Sequence, residues 1–310
     1  MIDDPSYDLN KKWPPTEVYG HVDPGLKADP EKTHLVTSET KINHISPYIG
    51  TEIAGIQISQ LSEEGLNELT LYTVERKVLI FRNQDFKDFG ADRQIELTKR
   101  FGRIQRYSTS GNVKGYPEIH VVYRDAEHDH LKRSPSDDRI NRTQWHSDVS
   151  YEKQPPGNTF FVILDQPGLG GDTLFASQVE AYKRLSPEFQ NSRNALKVYV
   201  PCTAHTNKLK PLFAVVGQDP ESPLRPRFHP LVRRHPVTGE KALCFSTGFT
   251  RRIIGSKAEE SDYLLKFLYD HIAKGADFQI RASYRPGTVM IWLRMTFFPL
   301  ERAIYLVTWV

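Results

Sequence analysis

In the stretch TQWHSDVSYE, residues 143–152, His146 and Asp148 stand between a long charged loop and an apolar run. In an extended strand, positions i and i+2 project to the same face. On that geometry an imidazole nitrogen and a carboxylate oxygen leave the backbone together, with Ser147 on the other side. Such a pair suits a divalent metal of hard-to-borderline character. A second, distant histidine would complete a two-histidine, one-carboxylate set, which leaves positions open on Fe(II) for O2 and a co-substrate. Alone, a His-x-Asp is common by chance and reads as a polar pair at a strand end.

The elements that must position this pair are mostly short strands. EIHVV (118–122), TFFVILD (159–165), DTLFAS (172–177), ALCFS (242–246), DFQIRASY (277–284) and TVMIW (288–292) are rich in β-branched or aromatic residues and bounded by turn residues such as Pro286-Gly287. Upstream, TEIAGIQIS suits a strand through Ile53, Ile56 and Ile58, and VLIF (78–81) suits a buried one. Ser62 is placed to cap a helix on which Leu66, Leu69 and Val74 recur, and DRQIELTKRFG reads as a second helix closed by Gly102. In AEESDYLLKFLYDHIAKG, the residues Tyr263, Leu264, Phe267, Leu268, His271 and Ile272 are expected on one apolar stripe, with Gly275 closing the helix. The fold expected is mainly β with flanking helices (α+β): a β-barrel or jelly roll rather than an alternating parallel sheet. Residues 1–45, polar and Pro-rich, read as an extended or poorly ordered arm, and 46–310 as a single domain. The charged loop from Asp125 to Arg142 reads either as a solvated loop or as a lid.

Bulk properties exclude several classes. The chain has 310 residues, 38% hydrophobic and 25% charged, as in an ordinary globular protein. A formal net charge of +3 gives no argument for nucleic acid or an anionic membrane. Cys202 and Cys244 read as buried thiols in a reducing compartment rather than a disulfide framework. MIDDPSYDLNKKWPPTEVYG has no basic start followed by an apolar run, and no stretch approaches the length of a membrane span, so a cytoplasmic location is expected.

PGLGGDTLFAS follows the His-x-Asp, and the whole stretch Trp145–Ser177 resembles the central motif of the TauD/TfdA family. Those are Fe(II)- and 2-oxoglutarate-dependent dioxygenases on a double-stranded β-helix, or jelly-roll, core. The resemblance runs from about Gly50 to Trp292. It includes TEIAGIQISQLSEEGLNELTLYTVERKVLIFRNQDF and the later FHPLVRRHPVTGEKALCFSTGFTRRI. GYPEIHVVYRDAEH and WHSDVSYEKQPP are most similar to the fungal sulfonate or taurine dioxygenase branch. The resemblance implies that His146 and Asp148 are two iron ligands. It implies that the hydroxyl of Thr173, in GGDT, binds a carboxylate of 2-oxoglutarate. The partners implied are O2 and a small organic acid, such as the sulfonate taurine, with 2-oxoglutarate converted to succinate and CO2. A homo-oligomer is compatible with this reading. By the same resemblance His229 and His235 belong to a structural strand and turn, and His205 lies beside the pocket. His271 reads as a satisfied core residue, and Arg233 and Arg234 as a solvated pair.

The pattern is broken at two places. Tyr107 stands where the sulfonate branch carries a substrate-contacting histidine, and a phenol donates a hydrogen bond without positive charge. After Trp292 the family carries a histidine seven residues on and an arginine for 2-oxoglutarate further along. Here Pro299 holds the first position, no histidine follows His271, and no matching arginine occurs. A jelly roll with an altered last strand is expected to leave part of its seam unpaired. Three readings stay open: a working dioxygenase whose coding sequence is misread after Trp292, leaving the domain incomplete at its C-terminus; a catalytically inactive member with a binding or regulatory role; and an enzyme using a substitute ligand such as His205.

Overall fold

The computed structural model describes residues 18–106, 111–122, 145–148, 150, 154–193, 196–200, 227–246, 249–293 and 303–309. The strands, in chain order, begin with β1 (Lys41–His44), β2 (Thr51–Ala54), β3 (Val78–Phe81), β4 (Arg103–Ile104), β5 (Asn112–Val113) and β6 (Tyr116–Val122). The middle of the chain gives β7 (Asn158–Ile163), β8 (Thr173–Ala176), β9 (Lys197–Val200), β10 (Arg227–Pro230), β11 (Val232–Arg234) and β12 (Lys241–Leu243). The last are β13 (Arg252–Ile253), β14 (Gln279–Ala282), β15 (Val289–Leu293) and β16 (Ala303–Trp309).

The main sheet is mixed and runs β1-β2-β3-β15-β7-β16-β6-β5, with β4 also paired to β16. Smaller sheets are β10-β9-β13, β11-β12 and β14-β8. Side chains alternate across the central strands, so each face of the main sheet has its own core. Leu79, Phe81, Phe160, Val162, Val289 and Ile291 pack with Leu66 and Leu69 of the helix Glu63–Arg76. Val78, Ile80, Phe161, Ile163 and Met290 pack on the other face with Ile280, Ala282 and Tyr284, which belong to or follow β14. Every residue of NTFFVI is buried because β7 is covered on both faces, and its last four positions are apolar.

Local signals explain two element ends next to the central sheet. Ser62 accepts from the Gly65 backbone N–H at 3.2 Å and caps the first long helix. Gly287 turns the chain from β14 into β15 at φ +77, a conformation that favours glycine, and its N–H donates to the Ile163 carbonyl.

Four expectations change. Residues from 18 onward in the expected arm are tied down: β1 pairs with β2, and Leu35 is fully buried. The anchor is Glu68, whose carboxylate accepts from the backbone N–H groups of His34 and Leu35 at 2.9 and 2.7 Å. Ile58 starts a short 3-10 turn instead of extending β2. The helix Ala258–Lys274 buries Ser261, Leu265, Leu268 and Ile272, whereas Tyr263 and Phe267 are exposed. Its covered face is therefore rotated from the stripe read off the sequence. Lastly, β16 fills the place between β7 and β6 and pairs with both, so that seam is closed.

Candidate active site

The His146–Asp148 segment does not form a strand. Trp145, His146 and Ser147 are irregular and Asp148 lies in a turn. The two side chains nonetheless converge, with His146 Nε2 2.9 Å from Asp148 Oδ1. The expected shared direction is met by a turn, not by strand alternation. Residues on either side of the pair are anchored. Trp145 packs on the core cluster of Leu231, Phe245 and Phe249. Downstream, Gln154 is buried, accepting from the Tyr19 N–H at 3.1 Å and donating to the Tyr19 carbonyl at 3.2 Å. Beyond it the chain runs directly into β7.

Both side chains of the pair remain reachable, at 49% and 37% exposure. Two donors each about 2.1 Å from a metal ion, at right angles, stand about 3.0 Å apart. The observed separation fits two ligands of one divalent cation, and the same distance serves as a hydrogen bond between imidazole and carboxylate. Among the described residues, no group of three or more His, Cys, Asp or Glu side chains is arranged to hold a metal. Tyr107, His205 and Pro299 lie outside the described residues.

Thr173 begins β8, whose antiparallel partner β14 places Ala282 opposite it. Tyr284, two residues beyond Ala282, shares its core cluster and so lies on the same face. Tyr284 is buried, and burial pushes its pKa up to about 12. Its ring lies 5.6 Å from that of Phe161, which also meets Trp292 at 5.6 Å. Phe175 closes the group against Trp292 at 5.4 Å.

The remaining candidates fall into structural roles. His235 is buried and its pKa is lowered to about 3, first by burial and then by Lys77. Its Nδ1 accepts from the Val237 N–H at 3.1 Å. His229 is also buried, on β10. His271 is half-buried, and its Nε2 donates to the Ala181 carbonyl at 2.7 Å. Arg233 and Arg234 are not a solvated pair: Arg233 is buried beside Cys244, and burial pushes its pKa down. Alternation along β11 turns the two residues to opposite faces, so only Arg234 reaches out, donating to the Gly239 carbonyl.

The sequence matches the family described as taurine catabolism dioxygenase TauD, TfdA family, over residues 41–294. The chain belongs to the TauD/TfdA family. An α-ketoglutarate-dependent dioxygenase of Penicillium expansum, cnsM, is 41% identical over 93% of this chain and 80% of its own length. The α-ketoglutarate-dependent sulfonate dioxygenase of Saccharomyces cerevisiae is 37% identical over 93% of this chain and 70% of its own. A crystal structure of a taurine dioxygenase from Burkholderia xenovorans superposes with a TM-score of 0.61 at 25% identity, covering 83% of this chain and 81% of that one. By family, this chain is an enzyme of the 2-oxoglutarate-dependent (α-ketoglutarate-dependent) dioxygenases. The family match stops at residue 294, one residue past the end of β15.

Proposed function

We propose that this chain is a jelly-roll dioxygenase in which His146 and Asp148 hold Fe(II) and Thr173 holds a carboxylate of 2-oxoglutarate, for the hydroxylation of a small organic acid. The observation that carries the reading is the 2.9 Å approach of His146 Nε2 to Asp148 Oδ1 on a solvent-reachable turn. When bound, the metal and 2-oxoglutarate supply the oxidising chemistry with O2. The chain's own residues do the positioning. Trp145 anchors the start of the turn in the core, and Gln154 is anchored to Tyr19 further along. Phe161, Phe175, Tyr284 and Trp292 form an apolar wall beside Thr173. The family relatives named for sulfonates and taurine support an acid of that class. Tyr107, a neutral hydrogen-bond donor, favours an acid other than, or larger than, a small sulfonate. A cytoplasmic setting suits the chemistry, and no described helix is long and apolar enough to cross a membrane.

A second reading is favoured by Pro299, which stands where the family resemblance places a histidine. In this reading the chain is a catalytically inactive family member with a binding or regulatory role. Mn(II) titration in the presence of 2-oxoglutarate tests the site. His146→Ala or Asp148→Ala is expected to weaken binding at least about tenfold, and unchanged affinity rejects the site. Succinate formation with a panel of sulfonates and aryloxy acids separates the two readings. Turnover well below about 1 per second supports the second reading. A higher rate means that another residue supplies the third donor, and His205→Ala then tests that residue. Sequencing the transcript across the Trp292 codon decides whether the following residues are encoded as printed.

A further inference from the structure

We infer that the exposed face of the helix Ala258–Lys274 is a dimer interface, on which a second copy of this chain packs its own Ala258–Lys274 helix antiparallel across a twofold axis. Tyr263 is 78% exposed and Phe267 47%, one turn apart on a helix whose opposite side fills the core with Leu265, Leu268 and Ile272. Phe267 is backed by Phe189, ring centroids 5.3 Å apart, and stacks on His271 at 6.1 Å. Its ring is held before any partner arrives, so docking costs little side-chain freedom. Single apolar residues on a surface are ordinary, but a supported aromatic pair rimmed by charge has the make-up of an interface core.

The charges name the occupant. Glu259, Tyr263, Phe267, Asp270 and Lys274 follow at intervals of three or four and form one stripe, acidic at its start and basic at its end. A twofold axis passing between Lys266 and Phe267 sets Glu259 of each copy against Lys274 of the other, and each Tyr263 phenol against an Asp270 carboxylate. The symmetry makes every pair twice. Sliding the copies by one turn destroys the match. In one direction Glu259 meets Asp270, and in the other it passes the end of the helix. Asp270 already receives Lys266 at 3.2 Å and Lys274 at 3.4 Å, and their hydrogen bonds push its pKa down. The ionised carboxylate has lone pairs left for a phenol O–H. A neutral lipid surface offers nothing to charges in this order, whereas a second copy offers the complement of each.

The test is sedimentation equilibrium of the full chain from about 1 to about 100 μM. The expected particle has twice the 35.6 kDa of the chain. Phe267→Ser is expected to raise the dimer Kd at least about a hundredfold, because the residue enters the interface twice. Glu259→Lys and Lys274→Glu, each alone, set like charges across the axis and are expected to raise it about tenfold. Equimolar mixing of those two variants rebuilds both opposite-charge pairs and is expected to restore dimerisation. Circular dichroism of every variant is expected to match that of the wild type, since the altered side chains lie on the surface. A chain that stays monomeric to about 100 μM overturns the inference, and co-sedimentation of that monomer with phosphatidylcholine vesicles would give the face to a membrane instead. A dimer indifferent to Phe267→Ser overturns it too, as does failure of the mixed charge variants to pair better than either alone.

Discussion

On one flank of β7 lies β15, antiparallel, with Val289 to Leu293 opposite Val162 to Asn158. On the other lies β16, parallel, with Ile304 to Trp309 opposite Asn158 to Ile163. The first flank falls inside the family match and the second beyond it. Both are fully laddered, because backbone hydrogen bonding is indifferent to sequence, and AIYLVTW has the β-branched and aromatic residues that suit a strand. Side chains are less tolerant. Asn158 Oδ1 and Thr159 Oγ1 are buried at the start of β7 without a hydrogen-bond partner among the described residues. Their cross-strand positions are Leu293 with Ile304, and Trp292 with Tyr305. Pairing can close a seam that side-chain chemistry does not complete.

The largest effect expected follows from removing the second flank. Deleting residues 294–310 takes out β16 and leaves β6 and β7 with open edges in the middle of the main sheet. The truncated chain is expected to aggregate on size-exclusion chromatography and to lose its cooperative melt. A soluble truncation with an unchanged midpoint would show that β16 contributes nothing to the sheet, and the comparison would fail. On the first flank, Ile291 is 1% exposed and packs in the core under the helix Glu63–Arg76. Ile291→Ala is expected to cost about 3 kcal/mol in urea unfolding.

A pH titration probes parts of the fold other than β16, because β16 carries no carboxylate, histidine, lysine or arginine. His235 is held neutral in the fold, with its pKa lowered to about 3 from 6.5. Its folded pKa is depressed, so the unfolded chain binds the proton first as pH falls. Stability is full above about 6.5 and is lost by about 1.4 kcal/mol per unit below it, until the folded pKa is reached. Lys77 and Glu240, paired at 2.6 Å beside it, set the local field. His34 acts in the opposite sense: Glu68 raises its pKa. The wild type is therefore compared with His235→Gln. Between pH 7.5 and 5 the wild type is expected to lose about 2 kcal/mol more than the variant. Parallel losses would place the acid sensitivity elsewhere.

What could be read from the sequence was mainly local. Ser62 as a cap, VLIF as a buried strand and Gly287 in a turn each follow from one residue's own conformational or hydrogen-bonding needs. His146 and Asp148 were legible as a pair because their chemistry and spacing are local, but not the turn that joins them. The misses required distant partners. Nothing near Leu35 announces that Glu68 will fasten it to a helix. Arg233 reads as a surface residue until the fold covers it. Tyr263 and Phe267 fit the apolar spacing of their helix, yet the neighbouring elements cover the face centred on Leu265 and Leu268. Resemblance reached the expected change after Trp292, but not its structural outcome, since only the sheet shows a strand accepted between β7 and β6.

The smallest expected effect isolates the imperfect seam at a single atom. Thr159 is fully buried, and its hydroxyl has no partner among the described residues. A buried hydroxyl without a hydrogen bond forfeits about 1–3 kcal/mol relative to one that is satisfied. Valine has nearly the same shape, prefers strands equally well and needs no partner. Thr159→Val is therefore expected to raise stability by about 1 kcal/mol in urea unfolding, which reverses the usual sign for a core substitution. The same change in a chain whose residues beyond Leu293 offered Thr159 a donor or acceptor would remove a satisfied bond and leave that partner orphaned. It would then cost stability instead. The sign thus reports whether the residues following Leu293 complete β7 chemically or only by backbone pairing. A destabilised Thr159→Val variant would mean that the hydroxyl is satisfied and that the second flank matches β7 as well as the first.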